Sequence, residues 1–242
     1  MFRRQIIRML DRRGGRTLLG TLATWYVRRA EGANVAVFFD GERWVRATSD
    51  GRLSVDGVRF DYYLDTISNF EREYDAWVKA AQDHWFYAYR PQPGDVIIDV
   101  GAGIGTDTLV FAKVVGKMGR VIAIEAHPET FARLQKNCAA HGFSNVTCMQ
   151  AAIVDKPCTV HIESGELHES NSIQSGEQTP GTFLVPGVTL DDVCAELALD
   201  HIDLLKMNIE GAERLAIHGM RRAAGMARHI CIPAEAGEIR SG

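Results

Sequence analysis

A chain of 242 residues in which 46% are apolar can bury a substantial core, as one domain or as one domain with an appendage. A formal charge of −4 gives no overall pull towards nucleic acid, and no stretch approaches the roughly 20 apolar residues of a membrane span. The five cysteines are odd in number and lack C-x-x-C spacing. That argues against a zinc cluster or a complete disulfide framework, and for free thiols in a reducing, cytoplasmic setting.

The first thirty residues differ from the rest. Arg3, Arg4, Arg8, Arg12, Arg13, Arg16, Arg28 and Arg29 are opposed only by Asp11, and Ile6, Ile7, Met9, Leu10, Leu18, Leu19, Leu22, Trp25 and Tyr26 interleave with them. Such a pattern fits a helical pair packed on the main domain with its arginines facing water. It also fits a basic amphipathic helix in peripheral contact with an anionic membrane. Gly14-Gly15 interrupts a single continuous helix, and the recurrence of arginine around short apolar runs argues against a signal peptide.

From Asn34 to about Asp65 the period shortens. The runs Val35–Phe39, Trp44–Ala47, Leu53–Val55 and Val58–Tyr63 are separated by Asp40-Gly41, Asp50-Gly51 and Asp56-Gly57, which predicts a small antiparallel meander. Helical spacing of Phe70, Tyr74, Trp77, Val78, Ala81, Trp85 and Phe86 predicts a helix from Ser68 to about Tyr89, ended by Pro91 and Pro93-Gly94. Strands and helices then alternate. Strands are expected at Val96–Val100, Val121–Glu125, Val146–Ala152, Ile202–Met207 and His229–Ile232. Helices are expected at Thr106–Val115, Pro128–His141, Thr189–Leu199 and from Ala212 to Met220 or beyond. This order implies a Rossmann-like, doubly wound α/β domain over residues 91–242, with a mostly parallel sheet, preceded by a helical and β-meander extension over residues 1–90.

Ligands of such sheets bind beyond the C-terminal ends of the strands. The first strand of this domain runs into Asp99-Val100-Gly101-Ala102-Gly103-Ile104-Gly105, a G-x-G-x-G turn with Thr106 where a dinucleotide fingerprint would place its last glycine. A pyrophosphate wants a helix N-terminus pointed at its charge, whereas S-adenosylmethionine carries no phosphate and suits a smooth glycine loop. Glu125 ends the next strand and can accept hydrogen bonds from both ribose hydroxyls. Asp99 has two open roles, ordering the turn through backbone N–H groups or approaching the cofactor's ammonium. At the end of the fourth strand, Asn208 and Glu210 are two apart and so aim to one side if extended. Glu210 could take a proton from an acceptor hydroxyl and Asn208 could hydrogen-bond cofactor or substrate, while Glu210 or Glu213 could instead cap the following helix. The chain has no N-P-P-Y or D-P-P-Y run, which favours oxygen over a base amino group as methyl acceptor.

The three segments D-V-G-A-G-I-G, V-I-A-I-E-A-H-P and I-D-L-L-K-M-N-I-E-G-A-E together resemble the FkbM-type methyltransferases, over about Gly94 to Ile232. That resemblance implies an S-adenosylmethionine-dependent O-methyltransferase acting on a small metabolite, sugar or glycan. It implies cofactor contacts at Gly101, Gly103 and Glu125, with Asp99 near the loop. The candidate cofactor set is Asp99, Gly101, Ala102, Gly103, Gly105, Glu125, Ala126, Ala152 and Asn208, with Glu210 and Asn208 as candidate catalytic residues and no metal. The family's fourth-strand motif more usually reads D-[IV]-E-G, so Asn208 replaces a carboxylate, which counts against an acid–base or metal role at that position. Family members usually continue past the fifth strand into an antiparallel pair. Residues 233–242 are too short and polar for that, which leaves three readings open: an exposed sheet edge, an edge covered by another chain or by the meander, or a truncated sequence. Two alternatives stay open: a non-catalytic or weakly active cofactor-binding module, and a nicotinamide-dependent oxidoreductase.

The histidines show no metal-ligand spacing. His127 stands apart because it follows the Glu125 strand end and could border the adenosine. The polar stretch from Glu163 to Ser172 is placed either as a loop over the cleft or as an excursion without a role.

Overall fold

The computed structural model describes residues 2–12, 14–30, 32–49, 51–60, 67, 69–163, 173–174, 182–209 and 211–233. The chain forms two compact units, residues 1–80 with 139–142, and residues 81–138 with 143–242.

In the first unit, helices α1 (Phe2–Leu10) and α2 (Arg16–Ala30) precede strands β1 (Val35–Phe39), β2 (Trp44–Thr48) and β3 (Leu53–Val55), and helix α3 (Phe70–Trp85) follows, its residues 81–85 belonging to the second unit. The strands form an antiparallel meander in the order β1-β2-β3. Val58–Phe60, read as the start of a fourth strand, are not strand, and residues 61–63 lie outside the described residues. Asp11, the lone acid of the arginine-rich segment, accepts from Trp44 Nε1 at 3.1 Å, from the Phe60 amide at 2.7 Å and from Arg16 Nε at 3.0 Å. It thereby ties the segment to the meander. α2 lies on β1 because Gly20 has no Cβ, which would otherwise stand 2.8 Å from the Val37 carbonyl oxygen. Thr24 Oγ1 accepts from the Val37 amide at 2.8 Å and donates to the Val37 carbonyl at 3.1 Å, closing part of the open edge of β1. Asp56, read as a turn residue, is buried and grips Arg46 Nε at 2.7 Å and Nη2 at 3.1 Å. The ion pair sits inside the meander because Arg46 points inward from β2.

The second unit carries β4 (Val96–Val100), α4 (Thr106–Val115), β5 (Arg120–Glu125), α5 (Pro128–Ala140), β6 (Val146–Gln150), β7 (Ala152–Ile153), β8 (Cys158–Glu163), β9 (Ile173–Gln174), β10 (Thr182–Val188), α6 (Leu190–Glu196), β11 (Ile202–Met207), α7 (Glu213–His218), α8 (Arg221–Met226) and β12 (Ala227–Cys231). A five-stranded, all-parallel sheet runs in the order β12-β11-β4-β5-β6. β4 and β11 are buried along their whole length, as expected of central parallel strands covered on both faces. This is the doubly wound, Rossmann-like architecture expected from the alternation.

Three details differ from expectation. The third strand ends at Gln150, and Ala152–Ile153 turn away to pair with β10 in a separate sheet of order β7-β10-β8-β9. The insertion before α6 is therefore structured: β8 and β10 pair antiparallel through Glu163↔Thr182 to Cys158↔Gly187. Residues 164–172, most of the polar stretch read either as a loop over the cleft or as an excursion without a role, lie outside the described residues. The last expected helix breaks into α7 and α8 at Gly219, whose missing Cβ admits the carbonyl oxygen of Val154. The segment expected beyond the fifth strand, from residue 234 on, also lies outside the described residues.

Candidate functional site

The sheet changes direction between β4 and β11, because the chain winds from β4 to β5 and β6 on one side and from β11 to β12 on the other. The loops leaving β4 and β11 therefore separate at the switch point, where such sheets hold ligands. The two loops are joined at their base, since the Asn208 amide donates to the Val100 carbonyl at 3.0 Å.

The β4 loop is pinned at several points. The Gly101 and Ala102 amides both donate to the Ile124 carbonyl, at 2.9 and 3.0 Å. Asn137 Nδ2 from α5 donates to the Ile104 carbonyl at 2.8 Å, and the Gly105 amide turns back to Ala102 at 2.9 Å. The glycines serve different needs. Gly101 has φ +72°, and a Cβ there would collide with the backbone carbonyl of Asn208. At Gly105, φ is +95° and a Cβ would press on Leu134. Gly103, with φ +58°, faces open space, so the ledge on which backbone can meet a ligand is centred there. Ala102 is buried beneath it.

Glu125 accepts from the Gly103 amide at 2.9 Å through Oε2 and from the His127 amide at 2.8 Å through Oε1. A carboxylate has about four lone-pair sites, so each oxygen can accept once more, which is what a ribose diol requires. Burial pushes the Glu125 pKa up, and the hydrogen bonds from His127 and Gly103 act against it. Ala126 is half-buried against the cluster of Ala152, Val154, Val160, Ile162 and Val185, so Ala126 and Ala152 form an apolar wall beside the strand end. His127 is buried, edge-on to Phe183 at 5.1 Å between ring centroids, with Nδ1 3.4 Å from Thr130 Oγ1.

Asp99 is engaged inside the sheet by Lys206 and Thr108. Its carboxylate is fully buried, 2.8 Å from Lys206 Nζ, and accepts from Thr108 Oγ1 at 2.6 Å. Lys206 also donates to the Gly101 carbonyl at 2.9 Å, stands 3.6 Å from Asp107 Oδ2 and lies 5.1 Å from the Trp85 ring centre. Trp85 Nε1 in turn donates to Asp107 at 2.9 Å. Burial alone would lower the Lys206 pKa, but Asp99 and Asp107 outweigh it and hold the ammonium charged. This ionic core under the glycine loop was not anticipated. Its signal is present in the sequence: Lys206 is a lone cation inside a central apolar strand, and it pairs in register with Asp99 on β4. An isolated buried charge in such a place needs a partner.

On the other loop, Glu213 accepts from the Ile209 amide at 2.7 Å and from the Gly211 amide at 2.9 Å. Glu213 thus shapes the turn after β11 and stands in the first turn of α7, whose N-cap Ala212 has no side-chain cap. Asn208 is half-buried, with its backbone amide joined to β4. Glu210 lies outside the described residues.

A parallel sheet with this switch point, a glycine turn after its central strand and an acid at the next strand's tip defines the Rossmann-like class that binds adenosyl cofactors at that cleft. Residues 99–233 match the methyltransferase FkbM domain, and the chain belongs to that family of S-adenosylmethionine-dependent methyltransferases. It is 26% identical over 155 residues to the 2-O-methyltransferase NoeI of Sinorhizobium fredii, covering 57% of this chain and 63% of that protein. It is 34% identical over 104 residues to a probable cobalt-precorrin-6B C(15)-methyltransferase of Methanothermobacter thermautotrophicus, covering 39% of this chain and 53% of that protein. The chain thus spans between about half and two thirds of the length of these two relatives. Among solved structures it is similar to methyltransferase FkbM from Methylobacillus flagellatus, with TM-score 0.45 and 20% identity over 67% of this chain and 41% of that one.

Proposed function

We propose that the chain transfers the methyl group of S-adenosylmethionine to a hydroxyl of a small metabolite, sugar or glycan. The observation that carries this reading is the pairing of an open glycine ledge at Gly103 with a carboxylate at Glu125 whose remaining lone pairs suit a ribose. The kinship with a protein named a 2-O-methyltransferase supports oxygen as the acceptor. Family membership stands against the nicotinamide alternative. The five cysteines are free thiols in the structure, which fits a cytoplasmic setting.

In this reading the bound cofactor supplies an electrophilic methyl. Glu125 fixes the ribose, and the rigid Gly101–Gly105 turn sets the cofactor's distance from the strand ends. Holding the acceptor oxygen in line with the methyl supplies most of the acceleration, on the order of 7–11 kcal/mol where alignment is good. Glu210 is the base that takes the hydroxyl proton, and Asn208 orients the acceptor or the cofactor; an amide at 208 positions a partner by hydrogen bonding without itself exchanging a proton.

Calorimetry with S-adenosylhomocysteine tests the site. Glu125→Ala is expected to weaken binding at least tenfold, since a hydrogen bond to a charged group contributes about 1.5–3 kcal/mol. Unchanged affinity would remove Glu125 from the cofactor site. Because ribose binding needs the carboxylate and burial raises its pKa, affinity should decline on acidification before the ordinary glutamate range is reached. Glu125→Gln should flatten that profile, and an equally steep decline in the variant would assign it to another group. An acceptor screen with labelled cofactor then tests the O-methyl assignment.

A further inference from the structure

The second helix of the N-terminal unit has two apolar faces. One, with Leu19, Gly20, Ala23 and Val27, packs inward. On the opposite side Leu18, Leu22 and Trp25 stand at i, i+4 and i+7, exposed by 53%, 48% and 63%, and Arg29 continues the same line. Arg28 flanks it. Beside this stripe lies a groove of about 660 Å³ between α2 and β1, lined among others by Thr17, Thr21, Trp25, Arg28, Arg29 and Phe38. Phe38 is itself 45% exposed. On α1, Ile6, Arg8 and Met9 are exposed as well, and Arg12 follows in the turn.

We propose that this face of the N-terminal unit docks on a lipid surface bearing anionic headgroups. The chemistry of the patch selects the occupant. Two leucines and a tryptophan in line gain little from a polar partner, and they gain from entering the acyl boundary of a bilayer. The arginines at the C-terminal end of α2 stand where headgroup phosphates would be, and arginine pairs with phosphate through two parallel hydrogen bonds. The chain as a whole is formally −4, yet its first thirty residues hold the arginines against Asp11 alone. That concentrates positive charge on this segment, as an anionic surface requires. A nucleic acid would satisfy the arginines and leave Leu18 and Leu22 in water. The attachment is peripheral: no helix among the described residues is long and apolar enough to cross a membrane.

The test is flotation of the full chain with vesicles of phosphatidylcholine alone and of phosphatidylcholine with roughly 30% phosphatidylglycerol, the charge density of an anionic leaflet. Binding is expected only to the anionic vesicles and should weaken in high salt. Arg28→Gln with Arg29→Gln should lower the partition coefficient about 25-fold, at about fivefold per arginine near a charged surface. Leu18→Ser with Leu22→Ser should abolish the salt-resistant fraction. Trp25→Phe should remove any blue shift of tryptophan emission on binding. Unchanged affinity for S-adenosylhomocysteine in these variants would show that the second unit remains folded, and circular dichroism would monitor the first. The proposal is overturned by equal partitioning to neutral and anionic vesicles, or by no partitioning. It is also overturned if light scattering shows the chain associating with itself and the leucine substitutions make it monomeric, because the stripe would then be an interface between copies.

Discussion

Lys206→Met is expected to destabilise the second unit by about 3–5 kcal/mol, the usual consequence of deleting one partner of a buried ion pair. The substitution keeps the length and apolar stem of the side chain but leaves the fully buried Asp99 carboxylate with Thr108 alone for compensation. It also frees the Gly101 carbonyl and takes a counter-charge away from Asp107. Hydrogen exchange of the β4 and β11 amides would measure the change locally. Adding Asp99→Asn should recover much of the loss, because the unpaired charge is then gone. Failure of the double variant to recover would mean that packing, not charge, dominates at this position. The sign of the pH dependence follows from the raised Lys206 pKa. Such a group stabilises fully below its unfolded pKa and loses that contribution as pH rises through the folded one, so the loss belongs to strongly alkaline solution.

The second large effect is expected at Gly101. Gly101→Ala combines a left-handed backbone, unfavourable by about 1–3 kcal/mol for a residue with a Cβ, with a methyl placed on the Asn208 carbonyl. Neither strand can yield freely, since Gly101 is bonded to Ile124 and Asn208 to Val100. Overpacking adds about 1–3 kcal/mol, so a total near 2–6 kcal/mol is expected in urea unfolding. Gly103→Ala is the informative contrast. Its Cβ meets nothing within 4 Å, so only the backbone strain remains, and the methyl instead intrudes on the ledge. That variant should lose less stability and more cofactor affinity than Gly101→Ala. The reverse order would move the ligand surface from position 103 to position 101.

Much of the fold was legible because its signals are local. The strand at Val96–Val100 and the helix at Thr106–Val115 begin and end where their apolar pattern and glycines say, and the three hairpin strands follow their turn residues. What escaped the reading was tertiary. Asp56-Gly57 carries the composition of a turn, yet Asp56 is claimed by Arg46 ten residues away. The sheet built on β8 and β10 went unread although Cys158-Thr159-Val160-His161-Ile162 alternates, because its partner arrives only after a stretch of polar residues. In the site, the glycine turn and Glu125 were visible from spacing. The pairing of Lys206 with Asp99 was not, since strand neighbours that lie 107 residues apart in sequence need the strand order before they can be matched.

Glu125 holds the loop before it and the loop after it through Gly103 and His127, so the cleft keeps its form without help from a guest. A nucleoside arriving there has no backbone to organise and adds its own contacts to an existing lattice of bonds. Association should therefore proceed at an ordinary bimolecular rate, in one kinetic phase, and the amides of Gly103 and His127 should already exchange slowly before anything is added.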